Sequence, residues 1–112
     1  MSKDEPQARW VISTVADVAQ ARKLAHALLE RRLVACVNIA PGATSLYRWQ
    51  GRVEEASEVL LFAKTVASRV DELERAWREL HAYEVPEFLV LEPAHVEARY
   101  LRWLRDETAP VP

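Results

Sequence analysis

The sequence predicts an α+β fold, a ferredoxin-like βαββαβ sandwich with an extra C-terminal helix and a long hairpin arm between its second and third strands. Three observations carry this. Short β-branched or aliphatic runs and segments of helical periodicity follow one another in the order β-α-β-β-α-β-α. The first two helical segments are each long enough to cross between parallel strands, and such crossovers are right-handed. That places both on one face of a four-stranded sheet. Finally, residues 33–65 read as two successive strands, far longer than a chain of 112 residues needs for its own core.

Each element has a local reason. Residues 10–15 form a β-branched run and read as the first strand. Asp17 opens a helix, and Gln20 three positions later makes a capping-box-like pair. Ala21, Leu24, Ala25 and Leu28 recur at helical spacing as one apolar face. Arg31 and Arg32 close the segment, where positive charge suits the helix dipole. The hairpin follows. Pro41 cannot donate a ladder hydrogen bond and Gly42 weakens pairing, so the two predict a bulge or bend. Gln50-Gly51 predicts the tight turn at the tip, with Gly supplying a positive φ. Ser68 is expected to cap a second helix, with Asp71 and Glu72 in its first turn and Val70, Leu73, Trp77 and Leu80 as its buried stripe. Asp71 with Arg75, and Glu74 with Arg78, are i,i+4 pairs on its outer face. Residues 88–91 read as a short fourth strand, and Val96, Tyr100 and Leu104 as the face of a closing helix.

The domain is expected over residues 9–107, with flexible tails at 1–8 and 108–112. Half of the residues are hydrophobic and 29% are charged, as in an ordered globular protein. Fifteen Lys and Arg stand against 17 Asp and Glu, for a net charge of -2. That balance, with aliphatic central strands, argues against a nucleic-acid binder. One cysteine, Cys36, rules out an intramolecular disulfide. The polar N-terminal residues and the short apolar runs lead to the expectation of a soluble cytoplasmic protein. Twelve Arg against three Lys, a single Asn and two Gly suit a thermostable protein, although a genome favouring Arg and Ala codons produces the same bias. The hairpin's exposed edges and the uncovered sheet face, bearing Leu60, Leu61, Phe62 and Val90, call for cover. Oligomerisation is the expected answer.

Several ordered motifs carry a family resemblance. They are Leu33-Val34-Ala35-Cys36-Val37-Asn38-Ile39, then Pro41-Gly42-Ala43-Thr44-Ser45 with Tyr47, Trp49 and Gly51. Lys64-Thr65 follows, then His81 with Tyr83-Glu84-Val85-Pro86-Glu87, and Tyr100-Leu101 with Trp103-Leu104. With these the chain resembles the CutA family, named for divalent-cation tolerance, from about residue 10 to residue 104. The resemblance implies a tight homotrimer whose hairpin arms extend the sheets of neighbouring subunits, closing their edges. The sequence departs from the family at four places. Ala82 stands where the family often has Pro, and Val96 follows His95 where Gly is common. Ser13 and Leu80 stand where some members carry a further Cys and a second His.

Divalent metal binding is the first functional expectation. Cys36, His81 and Glu84 are the candidate ligands, with His95 as a further imidazole. Thiolate and imidazole suit Cu(II) or Zn, and a carboxylate can complete the shell. The competing expectations are a buried structural thiol at Cys36 and a charge complementing a helix end at His81. The second is a small-ligand pocket or subunit interface lined by Tyr47, Trp49, Lys64, Tyr83 and Trp103, together with His81 and Glu84. Lys64 and Glu84 could equally form a simple ion pair. A stable scaffolding trimer is the remaining alternative. No catalytic role is expected: Ser13, Ser45 and Ser57 lie in no nucleophile elbow, and residues 41–45 lack the glycines and lysine of a phosphate loop.

Overall fold

The computed structural model describes residues 7–111. Its elements are β1 (Ala8–Val15), α1 (Val18–Glu30), β2 (Cys36–Trp49), β3 (Arg52–Val66), α2 (Val70–Leu80), β4 (Leu89–Leu91) and α3 (Ala98–Glu107). The sheet order is β2-β3-β1-β4 and every neighbouring pair is antiparallel. β3 therefore lies between the parallel strands that α1 joins, and β1 between those that α2 joins. This is the expected ferredoxin-like arrangement.

Period-two alternation decides what each strand buries. Val11, Ser13 and Val15 of β1, with Val59, Leu61, Ala63 and Thr65 of β3, point to one face and are buried. Leu24 and Leu28 of α1 and Leu73, Ala76 and Trp77 of α2 close that core. Trp10, Ile12, Phe62 and Lys64 point the other way. α3 covers only one end of this open face, where Leu104 packs with Ala8 and Val66.

The hairpin behaves largely as read. A register shift falls between Ala40 and Ala43, at Pro41-Gly42. At the tip Gly51 has φ +80, and Gln50 also adopts φ +50. Both central residues are thus left-handed, as a two-residue hairpin turn with the twist of its strands requires.

Helix ends depart from expectation. The Asp17 carboxylate accepts from the Gln20 backbone N–H at 2.8 Å, while the Gln20 side-chain oxygen has no partner among the described residues, so the capping box is made in one direction only. α1 ends with Arg32 at φ +58. Leu33 donates to Leu28 and Arg32 to Leu29, the paired bonds of a Schellman motif. Arginine is held in this conformation because its guanidinium donates to the carbonyls of Asp106 and Ala109 at 2.7 and 2.8 Å. Ser68 does not cap α2. A 3-10 turn, Ala67–Arg69, precedes the helix, and no side chain caps it. Buried Arg69 instead donates to the carbonyls of Arg31 and Arg32, and pairs with Glu72 at 3.3 Å. Glu74 and Arg78 pair at 3.8 Å as expected, whereas no Asp71–Arg75 pair forms. The first six residues of the expected N-terminal tail lie outside the described residues. Beyond residue 107, Thr108 is buried and its hydroxyl donates to the Leu104 carbonyl.

Candidate functional site

The turn after α2 places His81 at the top of β1, buried. The Thr14 carbonyl accepts from Nε2 at 2.8 Å, and Nδ1 accepts from the Tyr83 backbone N–H at 3.0 Å. These partners define the tautomer: Nε2 carries the proton and Nδ1 is the acceptor. Both nitrogens are occupied, so the ring fastens the loop after α2 to the edge of β1 and has no free donor for a metal.

Cys36 is half-buried, a correction to the buried thiol expected from its apolar run. Val37 and Ile39 pack against the helix-side core, so alternation turns Cys36 to the open face. Glu84 is exposed in the loop after α2. The register separates these candidates. Cys36 lies opposite Lys64, which lies opposite Trp10. His81 hangs from Thr14, four residues further along β1, roughly 13 Å at about 3.3 Å per residue. Among the described residues, no three His, Cys, Asp or Glu side chains converge on one point. A single protomer thus does not assemble the expected ligands.

The pocket candidates divide between two grooves. Along one side of the arm, Tyr47, Trp49, Glu58, Tyr83 and Val85 line a groove of about 290 Å³. The Tyr83 hydroxyl donates to the Glu58 carboxylate at 2.8 Å. Burial, reinforced by that bond to an anion, pushes the Tyr83 phenol above its ordinary range. Burial and the nearby Glu58 charge also raise Glu87.

Lys64 belongs to the second groove, beneath α3. Its ammonium lies 5.9 Å from the centre of the Tyr100 ring, and no ion pair with Glu84 forms. Trp103 stands beside Tyr100 with ring centres 5.5 Å apart. Trp10 lines the same groove and stacks on Phe62 at 5.4 Å. Neither Trp10 nor Glu58 stood out in the sequence as a site residue. The signal for Trp10 was its place in the first strand, on the opposite face to Val11.

Ser13 explains one departure from the family pattern. It is fully buried, its hydroxyl donates to the Glu87 carbonyl at 2.6 Å, and it accepts from the Trp77 indole N–H at 3.2 Å. The hydroxyl holds the loop that leads into β4.

Known proteins resemble the chain in sequence and in fold. A family model described as CutA1 divalent ion tolerance protein matches residues 9–107. The divalent-cation tolerance protein CutA of Thermus thermophilus is 48% identical over 98 residues, spanning 88% of this chain and 95% of that one. The solved structure of a divalent cation tolerance protein from Thermus thermophilus superposes with a TM-score of 0.88 at 46% identity, covering 91% of this chain and 99% of the other. A structure described as the periplasmic divalent cation tolerance protein CutA of Archaeoglobus fulgidus gives 0.87 at 27% identity, covering 90% and 98%.

Proposed function

Because the chain belongs to the CutA family of divalent-ion tolerance proteins, we propose that it acts as a homotrimer that binds divalent metal ions and contributes to divalent-cation tolerance. The observation that supports the assembly is the arm. Residues 52–58 of β3 run past the end of β1 and pair with β2 alone, over roughly 24 Å at about 3.4 Å per residue. Leu46 and Val53 are each 66% exposed on it, with Tyr47 and Trp49 beside them. The radius of gyration is 15.0 Å, against about 13 Å for a compact chain of this length. Apolar and aromatic surface on a projecting ribbon is the composition of an interface, and a closed ring of three also removes free sheet edges.

Metal binding is the reading that the family's name for divalent-ion tolerance supports, together with the donor chemistry of Cys36, whose thiolate suits copper-class ions. Since one protomer gathers no ligand set, the site draws on donors from more than one subunit, with Cys36 as this chain's contribution. His81 stands outside its reach within a protomer, and Glu84 is exposed in the loop after α2. The reading includes no catalytic step. It places the protein in the cytoplasm, where a lone cysteine without a disulfide framework is at home.

Titration of metal-stripped protein with Cu(II), Zn(II) and Ni(II) by calorimetry, with light scattering on the same sample, tests it. The expected result is a trimer that binds in integral ratio and loses affinity in Cys36→Ala. A monomeric mass overturns the assembly. Affinity unchanged in Cys36→Ala overturns that residue's role.

A further inference from the structure

Glu58 carries a charge that no described group of its own chain balances. It is only 9% exposed, and carboxylates this buried are almost always paired. None of the ion pairs among the described residues includes it. The Tyr83 hydroxyl donates to Oε2 at 2.8 Å. Oε1 takes no hydrogen bond among the described residues and is not sealed from solvent, so it opens on the groove walled by Tyr47, Trp49 and Tyr83. The groups whose charge acts on Tyr83 and Glu87 there are all acidic: Glu58, Asp17 and the Tyr47 phenol. A half-satisfied carboxylate between aromatic walls calls for a cation.

The arm's own cations do not supply it. In register Glu58 lies opposite Ala43, Glu54 opposite Tyr47 and Arg52 opposite Trp49. Alternation therefore turns Arg48 to the other face of the ribbon. Arg52 shares the face of Glu58 but lies six residues further out, roughly 20 Å at about 3.4 Å per residue. Along β3 the same alternation carries Glu58 to the side of Phe62 and Lys64, the open side of the sheet. Among the described residues Arg22, Arg48, Arg52, Arg75 and Arg102 make no ion pair and no side-chain hydrogen bond. Arg22 and Arg75 ride on α1 and α2, on the covered side. Arg48 and Arg52 on the arm and Arg102 on α3 are left to meet the open side of another copy. A guanidinium fits the groove because it forks onto a carboxylate and stacks on aromatic faces, where an ammonium does only the first as a point charge.

We propose that the groove of Glu58, Tyr83, Tyr47 and Trp49 is a socket for an arginine of the neighbouring subunit, Arg48, Arg52 or Arg102, whose guanidinium pairs with Glu58 and stacks on the aromatic walls. This rests on the trimer reading and deepens it, since the site is incomplete in one protomer and the second copy supplies the missing charge.

Double-mutant cycles on the full chain test it. The readout is the protein concentration at which half the trimer has dissociated, taken by light scattering at a fixed urea concentration, with circular dichroism reporting fold on the same samples. Glu58→Gln keeps the shape and the bond from Tyr83 but removes the charge, and should raise that concentration by about tenfold or more. One of Arg48→Met, Arg52→Met and Arg102→Met should raise it as much, and that variant combined with Glu58→Gln should lose little more than either alone. Arginine to lysine at the same position should recover only part of the loss. Glu58→Asp, which keeps the charge but withdraws it by one methylene, supplies the second reading should Glu58→Gln fail to fold. A trimeric parent in which every arginine variant adds independently to Glu58→Gln, or in which Glu58→Gln changes nothing, overturns the socket and leaves the trimer standing. Coupling to Lys64→Met in place of an arginine overturns the assignment to a guanidinium. A monomeric parent overturns the trimer reading itself, and the socket with it.

Discussion

The base of the β2–β3 hairpin and its distal arm are built from the same two strands under different conditions. At the base, β3 pairs with β1 on one side and β2 on the other, and α1 and α2 close over Val59, Leu61, Ala63 and Thr65. In the arm, β3 pairs with β2 alone, and Leu46, Tyr47, Trp49 and Val53 stay exposed. Pairing and turn geometry are satisfied in both. What differs is whether another element packs on the ribbon. The base draws its stability from within the chain, and the arm from whatever it meets.

Substitutions break or sharpen this contrast, beginning with the largest effect. Trp77→Ala in the base removes a fully buried ring in edge contact with Phe88 and the indole bond to Ser13. It should cost about 3–5 kcal/mol, read as a lower urea midpoint or loss of folded protein. His81→Ala removes two hydrogen bonds from a buried ring and should cost about 2 kcal/mol. Metal titration of that variant should match the parent. A drop in metal affinity at unchanged stability would show instead that the imidazole is a ligand.

Tyr83→Phe lies at the junction of base and arm. It loses the bond to Glu58 and should cost about 1 kcal/mol at neutral pH. The sign of its pH dependence follows from the raised phenol. An unfolded tyrosine ionises near pH 10 while the folded one holds its proton to higher pH, so stability is complete below about pH 10 and falls as pH rises beyond it. Denaturation curves between pH 8 and pH 11, values chosen to bracket the roughly pH 10 transition, should show that fall in the parent and a flatter profile in Tyr83→Phe.

Trp49→Asp is the smallest change for the protomer and the sharpest for the comparison. It touches no internal core, so the protomer's own packing should shift by about 0.5 kcal/mol or less. The particle mass by light scattering should fall, or the protein become insoluble. A soluble trimer of unchanged mass and stability would remove the arm from the interface.

Much of the fold was legible because it is local. The register break at Pro41-Gly42 follows from a missing N–H, and the tip at Gln50-Gly51 from the need for positive φ. The Asp17 cap needs only a neighbour three residues away. The candidate site was legible as a list of residues but not as a place. Tyr47, Trp49 and Tyr83 gather at one groove with Glu58, and Lys64 joins Tyr100 and Trp10 at another. Sequence spacing does not reveal that division, because β3 carries Glu58 past the end of β1 while Lys64 lies opposite Trp10.

The sequence by itself determined the order of elements, the apolar faces of α1 and α2, and the family, since periodicity, turn chemistry and motif spacing are all properties of neighbouring residues. Tertiary structure alone decided which polar groups were spoken for. His81 is closed by Thr14, Ser13 by Glu87 and Trp77, and the carbonyls of Asp106 and Ala109 by Arg32. Each of these contacts joins residues more than sixty positions apart. A buried polar group must find its partner wherever the packed chain brings one within reach, and that reach is set by the sheet order and not by the spacing along the chain.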